Sequence, residues 1–185
     1  FIRIANKHGV NQTNLTLIAT AAARQAENSN ELVDLGRTVC DMQIAIISPE
    51  QEAKYALLGV SHSYPIDHSD IAVIDIGGGS TEIIIADKGD MTHVASLPLG
   101  AVTLSSQFDL HDAIDATQYK NMEQCINESL DEHLLPIPNL DSVYATGGVC
   151  TAMAAIELHR TESDLLKDNA MDGYTLKLQS IEDQL

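Results

Sequence analysis

The sequence predicts an α/β fold, and three observations carry that prediction. Apolar periodicity along the 185 residues switches repeatedly between the two-residue repeat of strands and the 3.6-residue repeat of helices. Hydrophobic residues make up 44% of the chain, which is enough to bury a core. No apolar run approaches the roughly 18 residues that a membrane span needs, so the apolar segments read as core strands and helix faces, with no membrane partner. The length suits one ordinary domain, or a small domain plus part of a second.

In chain order, Leu15 to Thr20 reads as a short strand. Asn30 then reads as the cap of a helix running to about Cys40, with Leu32, Leu35 and Val39 on one face. Ile44 to Ile47 is a buried strand. Ser48-Pro49-Glu50-Gln51 combines a capping Ser, a Pro at the first helical position and a Gln three residues on, which predicts a helix. Gly59 reads as its left-handed end. A polar loop, Ser61 to Ser69, leads to a core strand, Ile71 to Ile76. Gly77-Gly78-Gly79-Ser80 follows, and Thr81 to Ala86 resumes as a strand. Lys88-Gly89-Asp90 turns the chain into a third strand, Met91 to Leu97. Tyr119, Met122, Ile126, Leu130 and Leu134 recur at helical spacing, and Pro136 and Pro138 end that helix. Ser142 to Thr146 is a strand, Gly147-Gly148 a tight turn, and Val149 to about His159 a helix. Ser180 to Leu185 reads as the first turns of another.

Charge narrows the partners. Lys and Arg number 10 against 27 Asp and Glu, a net charge of -17, which excludes a general basic footprint for duplex nucleic acid or anionic lipid. Any bound phosphate must be held locally, by backbone N–H groups, one or two cations or a metal. Cys40, Cys125 and Cys150 are odd in number, far apart and in no CxxC pair, so they read as small core residues of a reducing, cytoplasmic compartment. The seven histidines form no HxxxH or HExxH pair and are assigned no metal. The first residues carry no signal-type apolar core and no initiator Met, which predicts a piece of a longer chain.

The segment Asp75-Ile76-Gly77-Gly78-Gly79-Ser80-Thr81-Glu82 is the richest in chemistry. Glycines let backbone approach a ligand closely, and their N–H groups, with the Ser80 and Thr81 hydroxyls, can line an anion site. An acid at each end suits a divalent metal that bridges to phosphate. The same residues also suit a plain hairpin with incidental acids, and spacing does not choose. No GxxxxGK[ST] is present, and the glycines do not lead into a helix as GxGxxG does. Glu50 reads as a dipole-complementing surface charge, whereas Glu52 can either do the same or orient a water. Arg24, a rare cation here, can fork to phosphate or form a simple salt bridge.

ATAAARQAEN, IISPEQEA, VIDIGGGSTEIII, SLPLGAVTLS, ATGGVCTAMAAIE and MDGYTL stand in the order and approximate spacing of the exopolyphosphatase / guanosine pentaphosphate phosphatase family, and the chain is identified by this resemblance from about Leu17 onward. The resemblance implies an actin-like ATPase (ribonuclease-H-like) α/β fold, a mixed sheet flanked by helices. It places 1–47 at the end of a first lobe and 48–185 in a second, C-terminally incomplete lobe, the two lobes flanking a cleft. It implies Mg2+-dependent release of the terminal phosphate of polyphosphate, or of the 5'-γ-phosphate of pppGpp. It implies that Glu52 and Glu82 are catalytic, Glu52 activating water. Asp75 and Glu82 would hold the metal. Gly77, Gly78, Gly79, Ser80, Thr81, Arg24, Gly147 and Gly148 would bind phosphate, and a homodimer is admitted.

Pro49 and Gln51 depart from the family block, usually written ISGxEEA, but Pro at a first helical position is benign. Nothing matches the family's N-terminal DxGSNS hairpin or its closing C-terminal helices, so the chain alone is expected to be inactive. Two other functions compete. A sugar- or acetate-kinase-like enzyme would transfer phosphate from ATP, and a polyphosphate or alarmone sensor would not need Glu52.

Overall fold

A computed structural model of the chain describes residues 2–110, 113–133, 136–160 and 171–182. It divides into two compact units, Phe1–Glu52 and Ala53–Leu185.

The first unit contains α1 (Ile2–Lys7), a 3-10 turn (Gln12–Asn14), β1 (Leu17–Ala19), α2 (Ala21–Gln25), α3 (Ser29–Cys40), β2 (Ile44–Ile46) and the first turn of α4 (Pro49–Ser63). Strands β1 and β2 pair in parallel, Leu17 with Ile44 and Ala19 with Ile46. A parallel pair needs a crossover, which α2 and α3 supply. Gly36 lets α3 close on β2, because a Cβ there would meet the Ile44 side chain at 2.9 Å. Helix α3 begins at Ser29 after Asn28, two residues earlier than the expected Asn30 cap. Leu32, Leu35 and Val39 do share a face, and that face is exposed at 40%, 58% and 74%. The Ser48 cap forms in full: the Gln51 N–H donates to Ser48 Oγ at 3.2 Å, and the Ser48 N–H donates to Gln51 Oε1 at 3.0 Å.

The second unit is built on a mixed four-stranded sheet. Its strands are β3 (Asp70–Ile76), β4 (Thr81–Asp87), β5 (Asp90–Leu97) and β6 (Ser142–Thr146), in the order β5-β4-β3-β6. Strand β4 runs antiparallel to both β3 and β5, and β6 lies parallel to β3. Lys88 (φ 50°) and Gly89 (φ 89°) form a two-residue loop with both φ values positive, the conformation whose twist suits a tight hairpin. Ala53, Leu57 and Val60 of α4 pack with Ile71, Val73, Ile84 and Ala86 on one face. On the other, Ile83, Leu97 and Leu99 meet Leu104 of α5 (Ala101–Gln107) and Ile126 and Leu130 of α6 (Ala116–His133). Helix α4 runs through Gly59, the expected end, to Ser63, because Val60 and the half-buried Tyr64 still find apolar partners there. Pro65 follows and cannot continue it. Leu134, expected in α6, lies outside the described residues. Helices α7 (Gly148–Glu157) and α8 (Leu178–Glu182) follow among the described residues. Among the described residues no helix is long and apolar enough to cross a membrane.

Candidate functional site

The β3–β4 connection is closed by a Gly77 N–H bond to Ser80 O at 3.0 Å. None of its three glycines has a positive φ. What makes the loop is α5 pressing against it from behind. The Ala101 N–H donates to Gly77 O, and the Val102 and Thr103 N–H groups donate to Gly78 O, at 2.9–3.1 Å. The Thr103 hydroxyl donates to Gly79 O at 3.1 Å. The loop carbonyls are thereby consumed on the α5 side. The N–H groups of Gly78, Gly79 and Ser80 donate to no acceptor among the described residues, which leaves them as the donors an anion can use.

The approach that permits this depends on Gly100, which the sequence marks only as part of the SLPLGAVTLS block. A Cβ there would lie 2.2 Å from Gly78 O and 2.5 Å from Gly79 N, both backbone atoms that cannot step aside. The two hydroxyls expected to face the ligand are instead turned inward. Ser80 Oγ donates to Glu82 Oε1 at 2.8 Å, and Thr81 Oγ1 donates to Leu99 O.

Strand register then sets a polar row across the sheet. Asp75 pairs with Glu82, Glu82 with Ser96, and Asp75 with Thr146, so four side chains on four strands line up as Ser96–Glu82–Asp75–Thr146 on one face. The next row inward is Val94–Ile84–Val73–Tyr144, part of the apolar core under α4. Two carboxylates directly opposite each other repel. Glu82, 1% exposed, would also be costly as a bare charge, and here Ser80 and Ser96 both donate to its Oε1 at 2.8 Å.

Gly147 abuts the same place. Its φ is +92°, and a Cβ would meet Ile76 O at 2.3 Å and Asp75 Oδ1 at 2.9 Å. It caps α7, whose Cys150 thiol is pushed up by burial and then by the Asp75 charge.

Asp75 and Glu82 are the residues that could hold a divalent cation. Among the described residues no three His, Cys, Asp or Glu side chains gather into a cage. Thr146 Oγ1, opposite Asp75 in register, is buried with no hydrogen-bond partner among the described residues. Two carboxylates with an unsatisfied hydroxyl beside them fit an ion such as Mg2+, which keeps waters and borrows phosphate oxygens.

In the first unit, Arg24 and Glu52 meet. Arg24 Nη1 donates to Glu52 Oε2 and to Ile47 O, each at 2.8 Å, with side-chain exposures of 19% for Arg24 and 17% for Glu52. Arg24, expected on phosphate, therefore spends one nitrogen on positioning Glu52, and its fork carries further N–H donors. Glu52 sits in the first turn of α4, fixed by its N–H bond to Ser48 O.

The family model for the Ppx/GppA phosphatase family matches residues 1–184. The chain is 30% identical over 172 residues to a guanosine-5'-triphosphate,3'-diphosphate pyrophosphatase of Pseudoalteromonas translucida, covering 91% of this chain and 34% of that protein. It thus spans about a third of that relative's length. Among solved structures, the Aquifex aeolicus member of the Ppx/GppA family superposes with a TM-score of 0.65 at 28% identity, covering 85% of this chain and 49% of that one. An exopolyphosphatase from Cytophaga hutchinsonii gives a TM-score of 0.80 at 21% identity, covering 98% and 58%, which shows the shared fold. The mixed sheet flanked by helices is the actin-like α/β architecture that the resemblance implies, and the chain belongs to the Ppx/GppA phosphatase family.

Proposed function

We propose that the protein is a phosphoanhydride hydrolase that releases the terminal phosphate of inorganic polyphosphate or the 5'-γ-phosphate of pppGpp. The observation that carries this is the pairing of Asp75 with Glu82 beside a loop whose carbonyls are turned away and whose N–H groups remain available. Phosphoryl transfer to water needs positioning and charge neutralisation more than covalent chemistry. A chain of net charge -17 can supply these locally. The similarity to the Pseudoalteromonas guanosine-5'-triphosphate,3'-diphosphate pyrophosphatase supports the nucleotide substrate.

The roles follow from chemistry. The Gly78, Gly79 and Ser80 N–H groups hold phosphate oxygens, with Gly77 and Thr81 anchoring the loop ends and the Gly147-Gly148 start of α7 offering a second set of donors. Mg2+, held by Asp75 and Glu82, would neutralise charge on the phosphate when bound. Glu52 takes a proton from water while the water oxygen bonds to the terminal phosphorus. The bridging P–O bond breaks, and its oxygen leaves with the shortened chain. Arg24 holds Glu52 and presents its other donors to the phosphate.

The test uses the full-length protein that carries this chain, with Mg2+. Phosphate release is followed from long-chain polyphosphate and from pppGpp in parallel, for wild type and Glu52→Gln. A loss of about 100- to 10,000-fold in the variant is expected for removal of a general base, and the faster substrate names the activity. Release that survives Glu52→Gln removes Glu52 from the mechanism, and no release by wild type favours a sensor or a kinase.

A further inference from the structure

We propose that Ser96 is a positioning residue for Glu82, brought to it by a β-bulge. This rests on the proposal above that Glu82 works with a divalent cation. Ser96 lies on β5, fourteen residues from Glu82, and its hydroxyl donates to Glu82 Oε1 at 2.8 Å. Ser80 Oγ donates to the same oxygen at the same distance. Two donors converging on one oxygen from different strands leave a nearly fully buried carboxylate little freedom to rotate, so its orientation opposite Asp75 is set before any ligand arrives.

The bulge is the telling feature. The β4–β5 ladder starts from Asp87–Asp90 and Ala86–Met91, then shifts, so that Ile85 pairs with His93 and Thr92 is left over. Without the shift, Ala95 would stand opposite Glu82 and Ser96 would project from the other face of the sheet. The extra residue is accommodated locally, with Thr92 Oγ1 donating to Ile85 O at 3.1 Å. Bulges re-aim side chains near active sites, and here the residue re-aimed at the buried carboxylate is Ser96. The same shift keeps Leu97 on the face toward α5 and α6 and Val94 on the face toward α4, so one extra residue sets both the apolar core and the donor to Glu82.

The test compares Ser96→Ala and Ser96→Thr in the full-length protein, alone and in a Glu82→Gln background. Removing a hydrogen bond to a charged group predicts that Ser96→Ala lowers kcat by about 10- to 100-fold. KM is expected to stay within about threefold, since substrate contacts are untouched. Ser96→Thr, which keeps the hydroxyl, restores most of kcat. Binding of Mn2+ in the presence of inorganic phosphate, read by electron paramagnetic resonance, weakens in Ser96→Ala and recovers in Ser96→Thr, and this readout does not depend on turnover. In the Glu82→Gln background Ser96→Ala does little further harm, because both changes act on one carboxylate. Wild-type kcat and Mn2+ affinity in Ser96→Ala overturn the inference, as does a Ser96→Thr no better than Ala. If Glu82→Gln retains full activity, the role of Glu82 in the proposed function fails instead, while Mn2+ binding still decides whether Ser96 orders that carboxylate.

Discussion

Strands β3 and β4 carry a pair of facing acids at each end of their ladder, and the two ends settle the same repulsion differently. At the hairpin-turn end, Asp70 opposes Asp87. This end is open to water, and the Asp70 carboxyl is raised above its ordinary range, first by its hydrogen bond with Asp87, then by burial and the charges of Asp87 and Asp141. The repulsion there is left to water and to the raised proton affinity of Asp70. At the glycine-loop end, Asp75 opposes Glu82, and Glu82 is buried. There the fold supplies two hydroxyl donors to Glu82 and leaves the Thr146 hydroxyl unsatisfied beside Asp75. One end tolerates its acids, whereas the other is built around them. An acidic pair becomes informative when hydroxyl donors from neighbouring segments converge on one of its carboxylates.

The largest expected effect comes from a methyl group at each end. Gly100→Ala puts a Cβ into the backbone of Gly78 and Gly79, and overpacking against immovable atoms predicts a loss of about 3 kcal/mol or more together with loss of phosphate release. Gly89→Ala at the other end makes only ordinary contacts with Asp67, 3.5 Å to Oδ1 and 3.8 Å to Cα, so its cost is the positive φ, about 1 kcal/mol. Chemical denaturation of both variants measures the contrast. Equal costs would show that α5 does not brace the glycine loop.

A cation should distinguish the ends more gently. Mg2+ at about five times its Kd is expected to stabilise wild type by about 1 kcal/mol through linkage. The gain should vanish in Asp75→Asn and persist in Asp70→Asn. Thermal melts with and without Mg2+ test this, and a gain that survives Asp75→Asn moves the cation away from the glycine loop.

How much of this is written in the sequence depends on how local each feature is. The apolar run Ile71 to Ile76, the glycines and the apolar run after Thr81 announce a hairpin by themselves, and Ser48 with Gln51 announces the start of α4. Glu52, Asp75 and Glu82 stand in motifs contiguous enough to single out. Ser96 is different, because its meaning depends on a one-residue bulge ten residues from Glu82 that no periodicity reveals. Gly100 and Gly147 matter through contacts with backbone that is distant in sequence, and Thr146 through the register of β6 on β3. The inward turn of the Ser80 and Thr81 hydroxyls is equally non-local, since the partner of Thr81 is the Leu99 carbonyl beyond β5 and Ser80 shares Glu82 with Ser96. Asp115 and Gln118 do carry a legible signature. Asp115 Oδ1 accepts the N–H groups of Thr117 and Gln118, and Gln118 Oε1 accepts that of Asp115, a reciprocal cap for α6 that the apolar spacing alone passes over.

The smallest expected effect isolates the hairpin-turn end by pH. Asp70 has a folded-state value above its ordinary 3.8, so the folded chain binds that proton more tightly than the unfolded chain does. Its stabilising contribution is complete below 3.8 and is lost as pH rises through the raised value. Asp87→Asn removes the facing charge and hence much of that dependence. The difference in melting temperature between Asp87→Asn and wild type should therefore shift in favour of the variant between acid and neutral pH, other carboxyl groups cancelling in the comparison. Lys88, 3.6 Å from Asp87, opposes the shift on Asp70 and loses a weak surface pair in the variant, which keeps the effect small. A difference that does not change with pH would mean that Asp87 does not raise Asp70 and that water alone screens the exposed pair.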